Sequence, residues 1–104
     1  MIQYVEIIKL KGNLNASSIP EFRKKVNETL ENGTKVLLID CQDVSFIDSS
    51  GLGALVLAFK ALRAANIRMA ICSINEQVRI LFELTGMDEV FEIFPNQDTF
   101  HKVL

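Results

Sequence analysis

Asp48, Ser49 and Ser50 set a carboxylate beside two hydroxyls, and Gly51-Leu52-Gly53 follows at once. A serine in such a run can act as a nucleophile, cap a helix or accept a phosphoryl group, and its neighbours decide among these roles. A nucleophile elbow needs Gly-x-Ser-x-Gly and a base, but Ile47 stands two places before Ser49 and His101 is the single histidine. A phosphate-binding P-loop needs Gly-Lys-Ser/Thr, which does not follow Gly51 and Gly53. An aspartate phosphoacceptor needs an acidic cluster holding Mg²⁺ to offset charge on the phosphoryl oxygens. The first candidate strand instead ends in Lys11-Gly12-Asn13, with no acidic pair. Asp40, Asp43 and Asp48 could hold a hard cation, although solvated loop acids are the commoner case, so no metal or cofactor is assigned. Cys41 and Cys72 each end an apolar run and read as small buried thiols, without a Cys-x-x-Cys or Cys/His partner set.

Capping and modification remain. Asp48 and Ser49 are both preferred N-cap residues, whose side-chain oxygens satisfy the unpaired N–H groups of a helix's first turn. A phosphate added to Ser49 would meet those same N–H groups and the positive end of the helix dipole.

The elements that must position this segment follow from the hydrophobic pattern. Ile2 to Lys11 alternates as a strand whose phase slips at Ile7-Ile8, which predicts a bulge or a strand covered on both faces, and Gly12-Asn13 predicts a turn. Asn15 to Ser18 supply caps for an amphipathic helix carrying Ile19, Phe22, Val26 and Leu30, with Pro20 in its first turn and Asn32-Gly33 at its end. Lys35 to Cys41 is a nearly continuous aliphatic run, the mark of a central strand buried on both faces. A helix from about Ser50 to Ala65 should pack Leu52, Leu55, Val56, Phe59 and Leu62 on the sheet, and Asn66 closes it.

Ile67 to Cys72 forms the next strand, parallel to its predecessor because a helix joins them. Ser73 and Asn75 are cap residues for a third helix with Val78, Leu81, Phe82 and Leu84 facing the core and Thr85-Gly86 stopping it. Val90 to Phe94 reads as an end strand. After a turn at Pro95-Asn96, Gln97 to Leu104 reads as a short helix with Phe100 and Val103 inward and His101 on the surface. The expected fold is therefore a single α/β domain over residues 1–104, a small, mostly parallel sheet of about four strands with about four helices.

Composition agrees with a compact domain and narrows the function. Of 104 residues, 49% are hydrophobic and 23% charged, well away from the disordered regime. A net charge of -2 gives no basic surface for nucleic acid. No apolar run reaches bilayer length and no signal-peptide pattern opens the chain, so a cytoplasmic protein without membrane attachment is expected.

The string Phe46-Ile47-Asp48-Ser49-Ser50-Gly51-Leu52-Gly53 resembles the signature of the STAS family, and specifically of bacterial anti-sigma factor antagonists. The resemblance runs through Gly12-Asn13-Leu14-Asn15, Leu81-Phe82-Glu83-Leu84-Thr85-Gly86-Met87 and Phe91-Glu92-Ile93-Phe94, in the family's order over nearly the whole chain. It implies a STAS fold and a binding module without turnover of its own. The unmodified domain would dock on an anti-sigma factor serine/threonine kinase and release a sigma factor. Phosphorylation of the first motif serine, which maps onto Ser49, would inactivate it, and a PP2C-type phosphatase would reverse this. Two departures stand out. The family often has an acidic residue where this chain has Asn15, and its members usually carry a short strand ahead of the first one found here. The alternative within the family is an unphosphorylated scaffold or an accessory subunit of a signalling complex or membrane transporter.

One further pattern lies beside the serines. Ser50, Ala54, Leu57 and Ala61 form a small apolar stripe on the helix side away from its core face, flanked by Gly53 and Lys60. Either neighbouring elements cover Leu57, or the stripe is a partner-binding face continuous with Asp48, Ser49, Ser50, Gly51 and Asn15.

Overall fold

The computed structural model describes residues 4–104, so Ile2 and Gln3 of the expected first strand lie outside the described residues. The elements run β1 (Val5–Leu14), α1 (Ile19–Glu31), β2 (Val36–Ile47), α2 (Ser49–Ala64), β3 (Arg68–Cys72), α3 (Glu76–Thr85), a 3-10 turn (Met87–Glu89), β4 (Glu92–Phe94) and α4 (Gln97–Lys102). The strands form one sheet in the order β1-β2-β3-β4, and every pairing is parallel. Parallel neighbours need long crossovers, which the helices supply. This is the expected α/β architecture, a small parallel sheet of four strands with four helices.

The two sheet faces are covered unequally. On one face Ile8, Leu10, Leu37, Ile39 and Ile71 share a core with Phe22 and Val26 of α1, Leu55 and Leu62 of α2, and Val78 and Phe82 of α3. On the other, Val36, Leu38, Ala70 and Cys72 gather around Phe100 of the short α4. Burial on both faces explains the unbroken aliphatic run of β2, in which Leu37, Leu38 and Ile39 are wholly inaccessible. Cys41 and Cys72 are free and lie on opposite faces of the sheet. Burial first, then the neighbouring Cys72 and Asp40, push the Cys41 thiol up to about 12, so it stays protonated and inert.

Several boundaries differ from expectation. Gly12-Asn13 is not a turn: Gly12 takes a left-handed φ of 68° within β1, and the register shifts at Lys9/Lys11 and again at Gly12/Asn13. These bulges let β1 continue to Leu14 alongside a longer β2. The central strand likewise runs past Cys41 to Ile47, because β1 still pairs with it there. Asn75 caps α3 through Val78 N–H at 3.0 Å, whereas Ser73 takes a left-handed φ of 61° and does not cap. Leu84 and Val103, expected inside, are 82% and 53% exposed. The end strand is confined to Glu92–Phe94, since Met87–Glu89 winds into the 3-10 turn.

Candidate functional site

The site is built where β1 and β2 end and α2 begins. Leu14 pairs with Ile47, and Leu14 C=O then accepts the Asp48 N–H at 3.3 Å. Asp48 is extended, its Oδ1 accepts the Gly51 N–H at 2.8 Å, and its C=O accepts the Leu52 N–H at 2.9 Å. Asp48 alone is therefore the N-cap, which leaves Ser49 and Ser50 as the first two helical residues with exposed side chains. The division of labour is chemical: the carboxylate secures the helix end, and the Ser49 hydroxyl is left outside that bond. Asp48→Ala should cost about 1 kcal/mol of stability, readable as a lower urea midpoint at unchanged slope.

Gly51 is buried directly against β1. A Cβ built on it would stand 2.1 Å from the Leu14 carbonyl oxygen, so it is glycine for reasons of approach and offers no side chain to a partner. Gly53 is exposed with open space around it. Asn15 follows Leu14 and is half-buried. Its Oδ1 accepts from the Ser17 N–H at 3.1 Å and the Ser17 hydroxyl at 2.7 Å, and its C=O accepts the Ser18 N–H at 3.0 Å. Asn15 thus folds the turn into α1, next in the chain to the residue on which α2 rests.

The three aspartates are committed to separate tasks. Asp40 is buried and accepts the Gln42 N–H at 2.9 Å and the Gln97 amide at 2.7 Å. Asp43 lies 3.9 Å from Lys9, and Asp48 is the cap. Among the described residues no group of His, Cys, Asp or Glu is arranged to hold a metal ion. His101 is exposed on α4, whose Phe100 packs against the opposite sheet face from α2, so it cannot serve as a base for Ser49.

Beside the serines, α1 and α2 leave an apolar groove of about 530 Å³. Phe22 and Val26, with the polar Arg23 and Asn27, line it from α1, and Ser50, Gly53, Ala54, Leu57 and Ala61 from α2. The stripe read from the sequence is therefore one wall of a groove whose upper end is Ser50. Ala54 is buried in that wall, while Leu57 is 63% exposed, so no neighbouring element covers it.

Sequence reasoning gave Asn75 only a capping role and did not single out Gln77. Asn75 Nδ2 also donates to the carbonyls of Val44 and Ser45, each at 3.1 Å. Gln77 Oε1 accepts the Ile47 N–H at 3.0 Å, and its Nε2 donates to Ile47 C=O at 2.9 Å. Both side chains reach the segment just ahead of Asp48.

Comparison with known proteins follows the same outline. A family model described as the STAS domain matches residues 2–100. An anti-sigma-B factor antagonist of Listeria monocytogenes is 33% identical over 86 residues, covering 83% of this chain and 75% of that protein. The anti-sigma-B factor antagonist of Staphylococcus aureus is 28% identical over 86 residues, covering 83% and 80%. A candidate anti-sigma factor antagonist from Thermotoga maritima, solved by crystallography, superposes with a TM-score of 0.85 at 29% identity, covering 95% of this chain and 86% of that one.

Proposed function

This chain belongs to the STAS domain family, and from that premise we propose that it is an anti-sigma factor antagonist, a cytoplasmic binding module switched by phosphorylation of Ser49. Unmodified, it docks on an anti-sigma factor serine kinase and frees the sigma factor that the kinase had held. Phosphorylation ends that competence and a PP2C-type phosphatase restores it. The relatives named anti-sigma-B factor antagonists support the role. No helix among the described residues is long and apolar enough to cross a membrane.

The observation that carries the switch is the exposed Ser49 side chain at the first position of α2, with the cap already supplied by Asp48. A kinase can reach it without unfolding the helix. The added phosphate brings about -1.5 to -2 of charge next in the chain to Ser50, which lines the groove, and a partner docked there would have to desolvate or repel it. Ser49 is substrate in this scheme, and the chain has no turnover of its own. Incubation with the cognate kinase and ATP, then peptide fragmentation, should place one phosphate on Ser49 and none on the Ser49→Ala variant. Phosphate confined to Ser50, or none on either serine, would sink the assignment.

A further inference from the structure

The central strand outruns its neighbour. β2 continues to Ile47, but β3 pairs with it only from Val36 to Asp40, so the far end of β2 has β1 on one edge and no strand on the other. Backbone N–H and C=O groups there still require partners, most of all at Ile47, whose side chain is fully buried. The N-terminal end of α3 supplies them through side chains. Asn75 holds the carbonyls of Val44 and Ser45. Gln77 is the more telling of the two. In a strand, the N–H and C=O of one residue point to the same edge, and the Gln77 carboxamide meets both of those of Ile47, as an adjacent backbone would.

We propose that Gln77 is a positioning residue for the Ser49 acceptor: its carboxamide stands in for a missing strand and fixes the Ile47-Asp48 peptide from which the first turn of α2 hangs. The inference rests on the reading of Ser49 as a phosphoacceptor and adds what holds it in place. Leu14 C=O accepts the Asp48 N–H from one edge, and Gln77 binds both backbone groups of Ile47 from the other, so the Ile47-Asp48 peptide leading to the hydroxyl is held from both sides. Phosphoryl transfer has an in-line requirement and its rate depends steeply on where the attacking oxygen sits. Gln77 therefore governs the transfer step more than docking.

The test pairs Gln77→Met, similar in length but unable to make either bond, with Gln77→Glu, which keeps an acceptor for the Ile47 N–H and loses the donor to its carbonyl. Phosphorylation of the full chain by the cognate kinase is followed across substrate concentrations, and Ile47 amide exchange is read by NMR. For Gln77→Met we expect kcat to fall ~10-fold with KM within about twofold of the parent, and Ile47 to exchange ~10-fold faster. Gln77→Glu should keep more of the Ile47 protection and still lose kcat. A parental kcat in Gln77→Met despite faster exchange makes the residue merely structural and overturns the proposal. A raised KM at parental kcat moves Gln77 to the docking surface and overturns it equally. If Gln77→Met fails to fold, the kcat of Gln77→Glu decides by the same criterion. A parent chain that takes no phosphate on Ser49 fails earlier, and defeats the phosphoacceptor reading and this inference together.

Discussion

Gly51→Ala is expected to destabilise the domain by ~3 kcal/mol and to lower its melting temperature by ~15 °C, because the new methyl has no room. It would stand 2.1 Å from the Leu14 carbonyl oxygen and 2.8 Å from the carbonyl carbon, both backbone atoms at the very end of β1. A flexible side chain could swing aside, but this carbonyl also accepts the Asp48 N–H, so moving it breaks the contact that seats α2. The helix start must lift, taking Ser49 with it. Gly53→Ala, two residues along the same helix, is the control. Beyond its chain neighbours and the backbone of its own helix, no heavy atom lies within 4 Å of its added Cβ, and a helical alanine is favoured over glycine by about 0.5–1 kcal/mol. The two variants should therefore shift thermal unfolding in opposite directions. Equal melting temperatures would mean that the seat on Leu14 carries little of the stability.

The same pair shows what the sequence discloses and where it stops. Asp-Ser-Ser-Gly ahead of an apolar helix announces a capped start, and the cap is at Asp48. That one glycine is forced and the other free depends on a carbonyl from β1, whose bulges fall at Lys9/Lys11 and Gly12/Asn13, where the sequence suggests a turn and an earlier slip at Ile7-Ile8. Lys35 to Cys41 was legible as a buried strand because both faces are covered. Its continuation to Ile47 was not, since Gln42, Asp43 and Ser45 point outward and imitate a loop. Leu84, expected on the core face with Val78, Leu81 and Phe82, is exposed, and the helical period accounts for it. It lies two residues beyond Phe82, about 200° around the helix from a side chain that is wholly buried. Val103 follows the last residue of α4 and has left the face that Phe100 occupies. Gln77 was invisible for a different reason. A glutamine near a helix start has no distinctive spacing, and its role arises only because β3 is shorter than the strand beside it.

Leu57→Lys is expected to weaken binding to the anti-sigma factor kinase at least tenfold, ~1.4 kcal/mol or more, while leaving thermal unfolding nearly unchanged. The argument joins two observations. Leu57 is 63% exposed, so its removal takes little from the core, which Leu55 and Leu62 form on the same helix's other side. It also stands on the wall of the groove that begins at Ser50, where Gly53 and Ala61 are small enough to let a partner approach closely. An apolar anchor in such a place loses most when replaced by a charge that must be desolvated. Ser49→Asp should weaken the same complex by introducing charge beside Ser50 of the groove, whereas Ser49→Ala should bind and resist inactivation by the kinase. Titration calorimetry of the three variants, set beside their melting curves, separates the possibilities. A Leu57→Lys variant that melts far below the parent returns Leu57 to the core. One that melts and binds as the parent does moves the docking surface away from the α1–α2 groove, and leaves the Ser49 switch to be explained by charge acting on some other face.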